Sequence, residues 1–291
     1  MLNKVVFDKS RAKFVAMYNG AIVAKSKSKE YCERKLQEYT GETVAANDSE
    51  TVDPDLVFSV NERFEFISNY VKLVAKEKIN SFILTGSGGI GKTTEVIETL
   101  TKLGLKEDTP ETYGGDFQVM KGYSTARGLY VSLFNTDGKI LVIDDADTCF
   151  KDPVAASLLK AALDDKPKRI ISWNAESKDE EIPRRFTYTG RVVFISNLSL
   201  HDFPQALISR SQKVDVTLNT AEMIDRIEHV FTKVKHDSKQ KAEVLAFVKK
   251  YADKASDLNI RSAVALLTLR AEQGANWERM GVRIINHRFS T

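Results

Sequence analysis

Apolar residues recur along the chain with two periods, and the switch between them outlines its elements. Short apolar runs at 82–85, 117–120, 140–143 and 191–197 read as strands, most of them with no polar face and therefore buried on both sides. Between them, Phe64, Ile67, Val71 and Val74 recur at helical spacing over 60–78. Further helices are predicted over 92–103 and over 124–134, the latter with Leu129, Val131 and Phe134. This alternation predicts a parallel α/β sheet. A charged insertion between Lys168 and Gly190 has flanks, 169–173 and 185–189, able to pair as a hairpin around the tip ESKDEEIP. From 220 onward the pattern is helical throughout, with Met223, Ile224, Ile227 and Val230 in one helix. Val244, Leu245, Val248 and Tyr251 mark a second over 238–254, and two more follow over 261–271 and 277–285.

The beginning of the chain reads differently. Strands at 4–7, 13–18 and 21–24 surround Asn19-Gly20, a strong two-residue hairpin signal. Ser28 is placed to cap a helix over 29–39, where Cys32, Leu36 and Tyr39 form a thin apolar stripe. Residues 41–54 are polar, acidic and without periodicity, as in a linker.

At the end of the first buried strand stands Gly86-Ser87-Gly88-Gly89-Ile90-Gly91-Lys92-Thr93, followed by Thr94, which completes the spacing G-x-x-x-x-G-K-[ST]. Glycines there let the backbone turn its N–H groups inward on phosphate oxygens. Lys92 then reaches the β- and γ-phosphates, Thr93 offers its hydroxyl to Mg²⁺, and the following helix adds its positive end. About fifty residues on, the buried strand at 140–143 delivers Asp144 and Asp145 beside the mouth where a cradle on a neighbouring strand holds its phosphate. Asp144 is the expected Mg²⁺ carboxylate, and Asp145 the group that orients or deprotonates the attacking water.

Composition narrows the class without naming a target. The 291 residues are 42% hydrophobic and 29% charged, in the range of soluble globular proteins. No apolar run approaches a membrane span and the start, MLNKVVFDKS, lacks a signal-peptide core, so a cytoplasmic location is expected. Cys32 and Cys149, and four scattered histidines, have no metal-ligand spacing, so any metal is expected to arrive with the nucleotide. The net charge is only +3, but residues 1–40 carry nine Lys/Arg against four Asp/Glu.

In the order of these elements the chain resembles the AAA+ ATPases, over roughly residues 60–285. The resemblance implies a parallel-sheet P-loop AAA+ nucleotide domain at 60–218 and a C-terminal helical lid at 219–291. Ahead of them lie a small basic N-terminal ββα module at 1–45 and a linker at 46–59. It implies Mg²⁺-ATP as substrate, a sensor role for Asn197, and an arginine finger at Arg210 within PQALISRS, which is similar to the Ser-Arg-Cys element of clamp loaders. Arg261, early in a helix, matches a second sensor arginine. Lys121 and Tyr123 fall where such motors keep a pore loop, and Lys178, Arg184 and Arg185 lie on a hairpin similar to a pre-sensor insertion that points into the pore. A finger supplied in trans implies a homo-oligomeric ring, expected to be a hexamer, acting on DNA or nucleoprotein in replication, recombination or packaging. A protein remodeller and a slow nucleotide-gated switch are the alternatives, the latter because Asp145 stands where the family has Glu. The ββα pattern resembles the arm-type DNA-binding modules of phage integrases and equally suits an adaptor that docks a protein. The compact size and unusual spacing suggest a phage or mobile-element origin.

Overall fold

The computed structural model describes residues 4–8, 13–18, 21–26, 32, 58–145, 147–166, 168–174 and 182–286. The chain divides into two units, Met1–Val57 and Phe58–Thr291. In the first, β1 (Lys4–Asp8), β2 (Lys13–Tyr18) and β3 (Ala21–Ser26) form an antiparallel sheet in the order β1-β2-β3. Apart from Cys32, the helix expected over 29–39 lies outside the described residues, as does most of the linker.

The second unit is built on five parallel strands: β4 (Ser81–Thr85), β5 (Phe117–Lys121), β6 (Ile140–Asp144), β9 (Arg191–Ile195) and β10 (Gln212–Asp215). Their order is β10-β4-β9-β6-β5. The sequence reading expected the strand carrying Asp144 to neighbour the cradle strand; instead β9 lies between them. A separate antiparallel pair, β7 (Arg169–Ser172) and β8 (Arg185–Tyr188), is the expected hairpin. Most of its charged tip, including Lys178, lies outside the described residues.

Successive residues of the central strands point to opposite faces, so continuous apolar runs fill two cores. Phe82, Leu84, Val142 and Val193 face α1 (Val60–Ala75) and α2 (Lys92–Lys102). Ile83, Leu141, Val192 and Phe194 face α3 (Ala126–Asn135), and with them α5 (Pro153–Ala162), which follows the single turn α4 (Thr148–Lys151). Burying each such side chain contributes about 2 kcal/mol. The buried face of α3 is Ala126, Leu129, Tyr130 and Leu133, not the Leu129, Val131 and Phe134 stripe expected from sequence. Tyr130 and Leu133 complete the i, i+3, i+4, i+7 set with Ala126 and Leu129, which presents one contiguous stripe.

After β10 come α7 (Thr220–Lys233), α8 (Ser238–Tyr251), α9 (Ile260–Gln273) and α10 (Trp277–Ile285); the four-residue α6 (Gln205–Ile208) precedes β10. Asn219 caps α7 in a capping box with Glu222. These helices continue the first core without a break through Ile227, Phe247, Leu266 and Trp277. An Arg63–Glu222 ion pair fastens α7 to α1. Among the described residues no helix is long and apolar enough to cross a membrane.

Candidate functional site

The cradle begins where β4 ends. Gly86, Gly89 and Gly91 all have positive φ, at 142°, 73° and 90°, and a Cβ on Gly86 would meet the Val216 backbone at 2.9 Å. Only glycine fits there without displacing β10's exit. Gly91 is the N-cap of α2 and supplies no side-chain acceptor, which leaves the helix's first N–H groups available to an anion. Ile90 is buried and anchors the loop in the core, while Gly88 and Thr94 are exposed on the cleft.

Lys92 is buried, and its ammonium donates to Gly86 O, Ser87 O and Asn197 Oδ1, each at 2.8 Å. Burial pushes its pKa down, while the carboxylates of Asp145 and Asp144 work in the opposite direction. Thr93 Oγ1 donates to Asp144 Oδ1 at 3.0 Å. Burial raises the Asp144 pKa, the Thr93 hydrogen bond opposes the rise, and neighbouring Asp145 adds to it. Two hard oxygen donors thus stand together at the foot of the cradle, which fits a Mg²⁺ ion carried by a nucleotide. Among the described residues no group of three or more His, Cys, Asp or Glu forms a metal site by itself.

Asp145 has left-handed backbone (φ 54°), and its N–H donates to Ile195 O at 3.0 Å. A non-glycine residue in that region is strained, and here the strain turns the carboxylate toward β9. Asn197, two residues beyond β9, donates from Nδ2 to Asp145 Oδ1 at 3.0 Å while its carbonyl accepts from Lys92. The interposed strand is what brings these three side chains together. Ser196, beside Asn197, is fixed by donating to Asp147 Oδ1 at 2.6 Å, a support with no recognisable sequence pattern.

The α9 N-terminus closes the other side. Ile260 N donates to Gly89 O at 3.0 Å, and a Cβ on Gly89 would meet Asn259, the cap of α9, at 2.8 Å. Arg261 lines a small polar cleft of about 140 Å³ with Lys92, Thr93, Asp144, Asp145 and Asn197, and its charge contributes to lowering the Lys92 pKa. The cleft shares Gly88, Gly89 and Arg261 with a larger cavity of about 790 Å³ lined by Leu218, Met223, Leu258 and Ile284. The small chamber carries two cations, and the larger one mixes these apolar residues with Asn219, Thr220 and Asp257, which together leave room for a ligand with an anionic and an aromatic part.

Other expected residues stand elsewhere. Arg210 is exposed, donates to Ala206 O at 2.9 Å, and its carbonyl accepts from Ser81 at the start of β4. The cradle is at the opposite end of that strand, about 15 Å away for five residues. Tyr123 is 79% exposed, and Arg184 and Arg185 are exposed on the hairpin. Lys121 is exposed but is also drawn to the site, with Nζ 3.8 Å from Asp144 Oδ2.

No family model matches the chain. It is 28% identical over 253 residues to an uncharacterized 36.7 kDa protein of the nrdC-mobD intergenic region of Enterobacteria phage T4, covering 78% of this chain and 74% of the phage protein.

Proposed function

We propose that the chain is a Mg²⁺-dependent ATPase of the AAA+ type that works as a homo-oligomeric ring. The observation that carries this reading is the convergence of Lys92, Thr93, Asp144, Asp145 and Asn197 at one end of three neighbouring strands. Lys92, Arg261 and the open N-terminus of α2 bind the phosphates, and the larger cavity takes the base and ribose. Thr93 and Asp144 hold Mg²⁺, which on binding screens the phosphate charge. Asn197 and Asp145 hold the attacking water and Asp145 accepts its proton.

The displacement of Arg210 from its own cradle supports a finger that acts on the neighbouring subunit. Charge that develops on the transferred phosphoryl group is then stabilised only in the assembled protein. The basic first forty residues support DNA or nucleoprotein as the target, and similarity to a phage T4 protein supports a phage origin and action in the host cytoplasm. Exposed Tyr123 suits either a base or a peptide side chain, so stimulation by DNA against stimulation by an unfolded protein decides between a DNA motor and a remodeller. A slow nucleotide-gated switch is favoured by one observation, the short Asp145 carboxylate held by Asn197.

The direct test is equilibrium binding of a fluorescent ATP analogue with Mg²⁺. Wild-type chain binds it and Lys92→Ala does not. Equal binding by both would end the reading.

A further inference from the structure

Lys121 closes β5 and Asp144 closes β6, and the two residues are register partners across the parallel pair. Their side chains consequently leave the sheet on the same side. The Asp144 carboxylate is 8% exposed and divides its oxygens between two partners: Oδ1 accepts from Thr93 at 3.0 Å, and Oδ2 faces Lys121 Nζ at 3.8 Å. The first contact is a directional hydrogen bond. The second is too long for one and acts through charge.

Resting on the nucleotide-site reading above, we propose that Lys121 is a positioning residue of the metal site: it holds the outer oxygen of Asp144 so that the inner oxygen stays turned to Thr93 for Mg²⁺. This takes Lys121 out of the polymer-contacting role that its place before Tyr123 suggested. Two opposing effects decide the sign. A nearby ammonium repels a divalent cation, which would weaken metal binding. It also fixes the rotamer of a carboxylate that would otherwise have to be oriented when the metal binds. The ammonium faces the oxygen turned away from Thr93, so a cation held by Thr93 and Oδ1 would lie farther from it than Oδ2 does. The Lys121 side chain is 65% exposed, so water screens the longer interaction more than the shorter one. Orientation therefore wins.

The test is a Mg²⁺ titration of ATP-analogue fluorescence on the full chain, comparing wild type, Lys121→Met and Lys121→Arg. Lys121→Met is expected to raise the half-saturating Mg²⁺ about ten-fold, the lower end for partners of metal ligands. Affinity for the nucleotide without Mg²⁺ stays unchanged, and Lys121→Arg recovers most of the loss. A half-saturation in Lys121→Met equal to or lower than wild type overturns the proposal, the lower value meaning that the lysine competes with the metal. A parallel loss without Mg²⁺ overturns it too, because Lys121 would then be touching phosphate. Wild-type chain that binds no nucleotide at any Mg²⁺ concentration would remove the ATPase reading itself. A wild type that binds while Lys121→Met matches it removes only the role of Lys121.

Discussion

The Lys92 ammonium lies 2.8 Å from Asn197 Oδ1, and Asn197 Nδ2 lies 3.0 Å from Asp145 Oδ1, so a single amide joins the lysine to the carboxylate. A phosphate that draws Lys92 away from Asn197 also changes what holds Asp145. On the proposed reading, the amide is placed to report nucleotide to the group that activates water.

Replacing that amide removes the report and spares the cradle. Asn197→Ala is expected to lower turnover about 100-fold, the order found when one preorganised polar group is lost. Nucleotide affinity stays within about three-fold of wild type, since Lys92, Thr93 and the loop remain. Steady-state hydrolysis alongside equilibrium binding checks both. A matching loss in binding would make Asn197 part of the cradle instead.

Burial works against the charged form of Asp144, outweighing the Thr93 hydrogen bond. Burial raises its pKa in the folded chain, so the folded state takes up its proton more readily than the unfolded one. The stability that this proton brings is full below the ordinary carboxylate range and is lost as pH rises through the raised value. Asp144→Asn, without nucleotide or Mg²⁺, is therefore expected to melt with wild type near pH 3.5 and about 3 °C above it at pH 7. Calorimetry at the two pH values measures this. A variant less stable than wild type at pH 7 would mean that the charge on Asp144 is a net stabiliser.

Gly89 is the point where cradle and α9 touch. Gly89→Ala forces a side chain into left-handed backbone and onto Asn259, which caps α9 through the Ser262 N–H. Strain of about 1–2 kcal/mol and a lost cap of about 1 kcal/mol lower the melting temperature by roughly 5 °C. Nucleotide binding falls with it, because Arg261 follows the displaced cap. Thermal melts and analogue binding on the variant give the two readings. Unchanged values for both would show that α9 is not coupled to the cradle.

The elements of the parallel-sheet unit were legible wherever one physical signal dominated. The glycine spacing of the cradle, the apolar runs of β4, β6 and β9, and the helix Trp277–Ile285 all stand where the pattern put them. What failed had weak or competing signals. β10 has a single apolar residue among Gln212, Lys213, Val214 and Asp215, because it is an edge strand whose pairing, not its side chains, defines it. Helix α5 escaped although Asp152 caps it and Pro153 opens it, a combination that marks a helix start. The place of β9 between the cradle and acid strands could not be read at all, since strand order depends on how loops cross the sheet. That order brings Asn197 to Lys92 and leaves Asp144 one strand further away, with Lys121 beside it.

If the proposed site is completed by a neighbour, the most direct test is a mixing experiment on ATP hydrolysis. On the proposed reading, Asp145→Asn lacks the group that activates water but keeps Arg210, and Arg210→Ala keeps its own site but offers no finger. Each alone is expected to hydrolyse ATP at least 100-fold more slowly than wild type, the scale of a lost arginine finger or catalytic base. Mixed at equal concentration, they regain a substantial fraction of wild-type turnover, which rises with protein concentration. Wild-type hydrolysis by Arg210→Ala alone, or a mixture no faster than its parts, would contradict the account.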